Sequence, residues 1–309
     1  MIINGVKIKK GSSKVLDIPV ASLPSGTKID LFAHVYRSKN PGPTLLVIGG
    51  IHGDEINGVE IVRRSVKSEM FKNLQAGAVI AIPLLNVYGF INFSREFPGG
   101  KDVNRSFPGT QSGSLASRIA KVLTDVILPH VDYGLDFHTG GASIYNYPQS
   151  RVYRNDPESL KLASLFSMPY TVKTGLIAKS LRKIAHSKEI PMVVFEGGES
   201  LRIDEFSIEE GMKGIGRVLY GLGMSKKKMA SKKGVTFEKG SWIRASRSGI
   251  FRCLRSSGEK VKKGDVLGEI TDPNNNFVSR VKSRYDGTIY GHNNNPVINQ
   301  GDALFHIGY

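Results

Sequence analysis

Disulfide bridges cannot organise this chain. Its 309 residues include a single cysteine, Cys253, so no intrachain bridge forms and a reduced, cytoplasmic setting is expected. Long apolar runs are missing too. The longest, Ala78 to Leu85, falls far short of the roughly 20 residues that cross a bilayer as a helix, so no membrane partner is expected. The opening Met1-Ile-Ile-Asn-Gly5 lacks the basic, apolar and small-residue succession of a secretory signal, and none is expected. Acidic residues are scarce, 27 against 43 basic ones, for a net charge of +16. An apolar fraction of 40% with 23% charged residues excludes a disordered polyampholyte, and the length suits about two globular domains.

The excess charge is concentrated. Lys226 to Lys263 carries thirteen basic residues against Glu238 and Glu259, placing +11 of the net charge in 38 residues. Nucleic acid or a membrane surface would suit such a run. No aromatic residue interleaves Lys226 to Lys233, as single-strand binding requires. The expected role is therefore a solvated linker whose field favours a small anionic substrate, with no nucleic-acid partner. Self-association stays open.

Residues 1–225 read as one domain of alternating strands and helices. Strands are expected at Ile29 to Tyr36, Thr44 to Ile48, Ala78 to Leu85, Tyr133 to Phe137 and Met192 to Phe195. Helices are expected at Asn57 to Phe71, Ser114 to Leu128, Pro157 to Phe166, Ala178 to Lys188 and Ile208 to Tyr220. This alternation predicts an α/β fold, a sheet with helices on both faces. The stretch from Leu85 to about Gly113 is long enough to suggest a functional loop.

Residues 226–309 follow another grammar. After the basic run no helical period survives beyond Val235, and two segments repeat one another. Ser248-Gly-Ile-Phe251 followed by Lys263-Gly-Asp-Val-Leu-Gly-Glu-Ile270 matches Asp286-Gly-Thr-Ile289 followed by Gln300-Gly-Asp-Ala-Leu-Phe-His-Ile307. A two-fold, all-β module with Gly-Asp turns is expected. It resembles the flattened barrel of biotinyl and lipoyl carrier domains. Thr271 to Phe277, where those carriers place their modified lysine, has none, so the module is expected to be structural.

Chemistry is expected where strands end, because open α/β sheets bind ligands beyond their carboxyl edges. One strand ends in Gly49-Gly-Ile-His52-Gly-Asp-Glu55, another in Asp136-Phe-His138-Thr-Gly-Gly141, a third in Phe195-Glu196-Gly-Gly-Glu199. His52, Glu55 and His138 make a His₂Glu set that suits zinc better than magnesium. The His-x-x-Glu spacing recurs at His186 and Glu189, where no apolar strand precedes it, and His186 reads as a solvated surface residue. His34, His130, His292 and His306 read as structural. Glu196 directly follows an apolar run and is the stronger candidate for a general base; Glu199 is expected to be solvated. The long loop offers Arg95, Asp102, Asn104 and Arg105, side chains able to grip a carboxylate or, for Asp102, to hold the loop through an arginine.

Taken in order, Gly50-Ile-His52-Gly-Asp-Glu55, Asp102-Val-Asn104-Arg105-Ser-Phe-Pro-Gly109, Asp136-Phe-His138-Thr-Gly and Phe195-Glu196-Gly-Gly resemble the succinylglutamate desuccinylase/aspartoacylase family over essentially the full length. The resemblance implies a zinc-carboxypeptidase-like mixed sheet flanked by helices, followed by a C-terminal all-β, barrel-sandwich-like domain. It implies one zinc per chain on His52, Glu55 and His138, with Glu196 as general base. It implies Asn104 and Arg105 at the substrate carboxylate and Arg95 at the scissile carbonyl. Pro98-Gly-Gly100 lengthens the interval between Arg95 and the Asn-Arg pair relative to aspartoacylase. The family's C-terminal tyrosine has two candidates, Tyr285 and Tyr290. The implied activity is amide hydrolysis of an N-acylated amino acid, with a peptide-cutting carboxypeptidase as the alternative; the basic run alone leaves a third reading, a non-enzymatic nucleic-acid-binding protein.

Overall fold

The computed structural model describes residues 1–22, 25–231, 233–274 and 276–309. Lys232 of the basic run and Asn275 of the 271–277 segment lie outside the described residues. A small hairpin, β1 (Ile2–Ile3) with β2 (Val6–Lys7), precedes an antiparallel pair, β3 (Ser12–Ser22) and β4 (Lys28–Arg37), at one edge of the main sheet. Next come β5 (Thr44–Gly49), helix α1 (Ile56–Lys67) and β6 (Ala78–Ile82). The long loop holds a short helix, α2 (Val87–Ile91), and a single 3₁₀ turn at Val103–Arg105. Helix α3 (Leu115–Val122) then widens through a π turn and ends in a tighter 3₁₀ turn at His130. The domain closes with β7 (Tyr133–Gly140), β8 (Ile144–Tyr153), α4 (Pro157–Phe166), β9 (Tyr170–Thr174), α5 (Leu181–Ser187), β10 (Met192–Glu199) and α6 (Glu205–Gly221).

The strand order is β3-β4-β6-β5-β7-β10-β8, with β5, β6, β7 and β10 parallel. Every residue of β5 and β6 is buried, because helices cover both faces of these parallel strands. Alternation divides the core. Leu45 and Val47 join Phe137, Phe195 and Phe166 under α1, α4 and α6, while Leu46 and Ile48 join Ile80, Ile119 and Leu181 under α3 and α5. The parallel strands therefore deliver the ends of β5, β7 and β10 to one edge of the sheet.

Besides the small hairpin of β1 and β2, three strands of the main sheet escape the sequence reading. β3 lies before the first expected strand. β8 and β9 occupy a stretch without an apolar period, because β8 carries Asn146, Gln149 and Arg151 where a covered strand would carry aliphatics. β8 is also where the sheet forks. Its first residues pair with the C-terminal module and its last residues pair with β9.

That module holds β11 (Val235–Phe237), β12 (Gly240–Arg244), β13 (Gly249–Cys253), β14 (Lys260–Val261), β15 (Val266–Thr271), β16 (Val278–Lys282), β17 (Gly287–Asn293), β18 (Val297–Ile298) and β19 (Ala303–Gly308). The repeat seen in sequence is a structural one. β12-β19-β17-β14 and β16-β15-β13-β18 are equivalent four-strand sets. In each, the Gly-Asp aspartate accepts from a backbone N–H three residues earlier: Asp265 from Lys262 at 2.9 Å and Asp302 from Asn299 at 2.7 Å. The two copies interleave, since β14 pairs with β17 of the second copy and β18 with β13 of the first. The lysines at 226–228 are exposed, and among the described residues no helix is long and apolar enough to cross a membrane.

Helix α1 lies unusually close to the sheet at Gly58, where a Cβ would collide with the Phe137 carbonyl oxygen. Backbone cannot swing aside as a side chain can, so the helix must move. Gly58→Ala is expected to cost about 1–3 kcal/mol, seen in chemical denaturation as a lower midpoint at unchanged slope.

Candidate metal centre and its cleft

Beyond β5 the chain turns through Gly50 at φ +62°, where a Cβ would press on Leu84 and Val59 at 2.8 and 2.9 Å. The turn sets His52 over the sheet edge and makes Glu55 the residue that opens α1. The Glu55 side chain does not cap its own helix. It reaches across to His52 Nδ1 at 2.7 Å and His138 Nδ1 at 2.8 Å. His138 comes from the end of β7, and the two Nδ1 atoms lie 3.2 Å apart. These three side chains, each at most 4% exposed, bring one ligand atom apiece within 4.8 Å of the others.

Both imidazoles are oriented from behind. His138 Nε2 donates to Asp136 Oδ2 at 2.9 Å, and His52 Nε2 donates to Asp102 Oδ1 at 3.3 Å. A carboxylate on the far nitrogen fixes the ring and leaves Nδ1 for a cation, the usual supporting arrangement at histidine metal sites. The Glu55 oxygens also accept from Arg95 Nη1 at 3.1 Å and from the Thr139 backbone N–H at 3.2 Å.

The electrostatics follow from this packing. Burial opposes the charge on Glu55, but His52 and His138 outweigh it and hold the carboxyl well below its ordinary value. Burial likewise opposes the imidazolium of His138, yet Asp136 and Glu55 push it well above its ordinary value. His52 is raised in the same way by Glu55 and Asp102. With Arg95, which pairs with Glu55 and Asp102, the two imidazoles face the three carboxylates Glu55, Asp102 and Asp136 in a largely buried network.

The long loop anchors here as expected. Asp102 accepts from Arg95 Nε and Nη2 at 3.2 and 3.0 Å and from the Asn104 backbone N–H at 2.7 Å. Buried Asn86 holds the Arg95 carbonyl at 3.2 Å, a support with no signal in the sequence beyond its place before α2. Asn104 Oδ1 accepts from the Leu181 N–H at 2.9 Å, which ties the loop to α5.

Beside His52, Glu55 and His138 opens a cleft of about 290 Å³ that includes Arg95, Asn104, Arg105 and Glu196. The seven residues expected at the metal, the base position and the substrate (His52, Glu55, His138, Glu196, Arg95, Asn104 and Arg105) therefore line one cavity. Sequence reasoning missed others in it, among them Asn146, Arg151, Arg182 and Trp242. Arg182 is 9% exposed; it donates through Nη2 to Thr174 Oγ1 and the Gly175 carbonyl, both at 2.9 Å, and its buried Nη1 has no partner among the described residues. Burial and neighbouring Arg151 push its guanidinium down to about 10.

Two expectations need correction. Glu199 is buried, 7% exposed, because Asn294 Nδ2 of the C-terminal module donates to it at 2.6 Å. Neither candidate tyrosine lines the cleft: Tyr285 stacks on Tyr309, and Tyr290 lies buried against Phe237 and His306. The module's aromatic contribution is Trp242, stacked on His306 at 4.1 Å. His186 sits partly exposed beside Asp156, away from the cleft.

The succinylglutamate desuccinylase/aspartoacylase catalytic domain family matches residues 41–222. The N-alpha-acetyl-L-2,4-diaminobutyric acid deacetylase of Halomonas elongata is 26% identical, over 94% of this chain and 89% of its own. Similar solved structures include the product-bound ectoine utilization protein EutE (DoeB) from Ruegeria pomeroyi, with 23% identity, a TM-score of 0.84 and coverage of 96% and 94% of the two chains. Another is a succinylglutamate desuccinylase/aspartoacylase from Rhodobacter sphaeroides, with 24% identity, a TM-score of 0.84 and 96% of each chain covered.

A cation entering the centre must displace the Nδ1 protons of His52 and His138, which their carboxylate neighbours hold tightly. Metal affinity is therefore expected to fall on acidification, by roughly ten- to a hundred-fold per pH unit below the imidazole values. Titration calorimetry at stepped pH measures it. Asp136→Asn should weaken binding by about 10–100-fold at constant pH.

Proposed function

Because the chain belongs to the succinylglutamate desuccinylase/aspartoacylase family, we propose that it is a zinc-dependent hydrolase cleaving the amide bond of a small, anionic N-acylated amino acid. The observation that carries this reading is the joint presence, in one cleft, of a three-ligand His₂Glu cluster and a separate carboxylate, Glu196. On this reading residues 1–225 form the hydrolase domain and 226–309 the basic linker and β module.

Zinc fits the donor set: two imidazole nitrogens and one carboxylate, with both rings steadied by carboxylates. When bound, it supplies Lewis-acid polarisation of the amide carbonyl and a nucleophile at neutral pH. The protein's residues do the rest. Glu196, on β10 directly beside His138 of β7, removes a proton from the attacking water and returns it to the departing amine. Arg95, beside Glu55, places positive charge where the carbonyl oxygen becomes an oxyanion. Asn104 and Arg105 hold the amino acid's carboxylate.

Size and charge support the substrate class. Four arginines, Arg95, Arg105, Arg151 and Arg182, line the cleft with Ile144, Ile177 and Trp242 as its apolar surface. Its volume, about 290 Å³, is at the small end for ligand pockets, which disfavours an extended peptide. The name of the Halomonas relative, an N-acetyl-diaminobutyrate deacetylase, supports an N-acyl amino acid in which the acyl group is small.

Amine release from a panel of N-acetyl, N-succinyl and N-formyl amino acids by zinc-loaded protein tests the proposal. Chelator-sensitive release from one or two members is expected; turnover only of blocked peptides would instead favour a carboxypeptidase. Glu196→Gln should retain its metal and lose about 10²–10⁴-fold in kcat, and an unchanged rate would remove Glu196 from the reaction.

A further inference from the structure

Glu196 does not stand free in the cleft. Its Oε2 accepts from Asn146 Nδ2 at 3.0 Å, and its Oε1 pairs with Arg151 Nη1 at 3.2 Å. Both partners belong to β8, five residues apart. In a regular strand an odd separation sends two side chains to opposite faces. Here it does not, because β8 carries a bulge. Between Glu196 and Gly198 the neighbouring strand β10 advances two residues, while their partners Gln149 and Asn146 are three apart. The extra residue reverses the alternation, so Asn146 before the bulge and Arg151 after it both face the cleft.

The C-terminal module closes the other side of this arrangement. Strand β17 pairs with β8 at Asn146 through Gly291. A Cβ on Gly291 would sit 2.9 Å from Asn146 Oδ1, with the Tyr145 carbonyl next at 3.4 Å. The absence of a side chain there is thus what lets the Asn146 amide lie flat and point its nitrogen at Glu196. Arg151 also borders Tyr290 and His306 of the module. Burial, together with the Arg151 charge, pushes His306 down to about 3, so the imidazole is neutral. Among the described residues Glu196 is the one carboxylate within ion-pair reach of Arg151.

We propose that Asn146 and Arg151 are positioning residues that clamp Glu196 in the orientation of a general base, and that Gly291 of the C-terminal module sets the clamp by making room for the Asn146 amide. The catalytic unit then extends into the second half of the chain. This inference rests on Glu196 acting as the base.

The test compares zinc-loaded wild type with Gly291→Ala, Arg151→Met and Arg151→Lys. Gly291 has no left-handed backbone requirement, and the nearest atom to an added Cβ is the end of a side chain, so Gly291→Ala is expected to fold while turning the Asn146 amide away. The clamp predicts a kcat lower by roughly 10–100-fold in Gly291→Ala and Arg151→Met, with KM within about twofold and one zinc retained. Arg151→Lys, which keeps the charge, should recover roughly fivefold or more over Arg151→Met. A raised KM with unchanged kcat in Arg151→Met would assign Arg151 to the substrate and overturn the clamp, as would full activity in Gly291→Ala. Crystal structures of wild type and Gly291→Ala read the same question without turnover: one Glu196 orientation in the first, a turned or dispersed carboxylate in the second. Should wild type release no amine from any substrate, the proposed function fails, while the Glu196 density still decides the clamp.

Discussion

A single buried carboxylate ties the active end of this protein together. Glu55 is almost wholly removed from water, and a charge in that position is tolerable only when fully compensated. Its partners arrive from three separate parts of the chain: His52 from the turn after β5, His138 and the Thr139 N–H from β7, and Arg95 from the long loop. Taking away one partner of a buried charge costs about 3–5 kcal/mol in typical cases, so each partner constrains the others. Asp102 repeats the logic one step outward, joining His52, Arg95 and the 3₁₀ turn at Val103–Arg105. The loop is thus long in sequence but fixed by charge.

The sheet explains why these groups meet at all. On the face under α3 and α5 the strands present aliphatic side chains through their length, Leu46 and Ile48 on β5 and Met192 on β10. At their carboxyl ends the same face turns polar, with Asp136 and His138 on β7 and Glu196 on β10. Period-two geometry carries His138 and the Glu196 carboxylate beside it onto one surface without any dedicated loop.

What could be read from the sequence is what obeys such simple periods. Apolar strands ending in histidine or glutamate and then glycine mark the sheet edge, and the structure brings His52, Glu55, His138 and Glu196 together there. The repeated Gly-Asp turns likewise announce the two-fold module, although not the exchange of β14 and β18 between its copies. β8 was illegible because a bulge breaks its alternation and its cleft-facing side chains are polar. Trp242 and Arg182 carried no signal, since a lone aromatic in an edge strand and an arginine on a short basic helix look like ordinary surface. Glu199 was misread as solvated because its partner, Asn294, lies 95 residues away.

The place of β17 near the end of the chain also orders the protein's biosynthesis. Ribosomes deliver β8 long before residues 287–293 exist, and until then the start of β8, with Asn146, is an open strand edge. Open edges invite pairing with other nascent chains. Neither copy of the C-terminal repeat can cover that edge early, because the strand that does so belongs to the second copy and is itself completed by β14 of the first. Closure of the sheet therefore waits for nearly the whole polypeptide, and a ribosome stalled between the two copies would leave the start of β8 as an open strand edge beside the cleft.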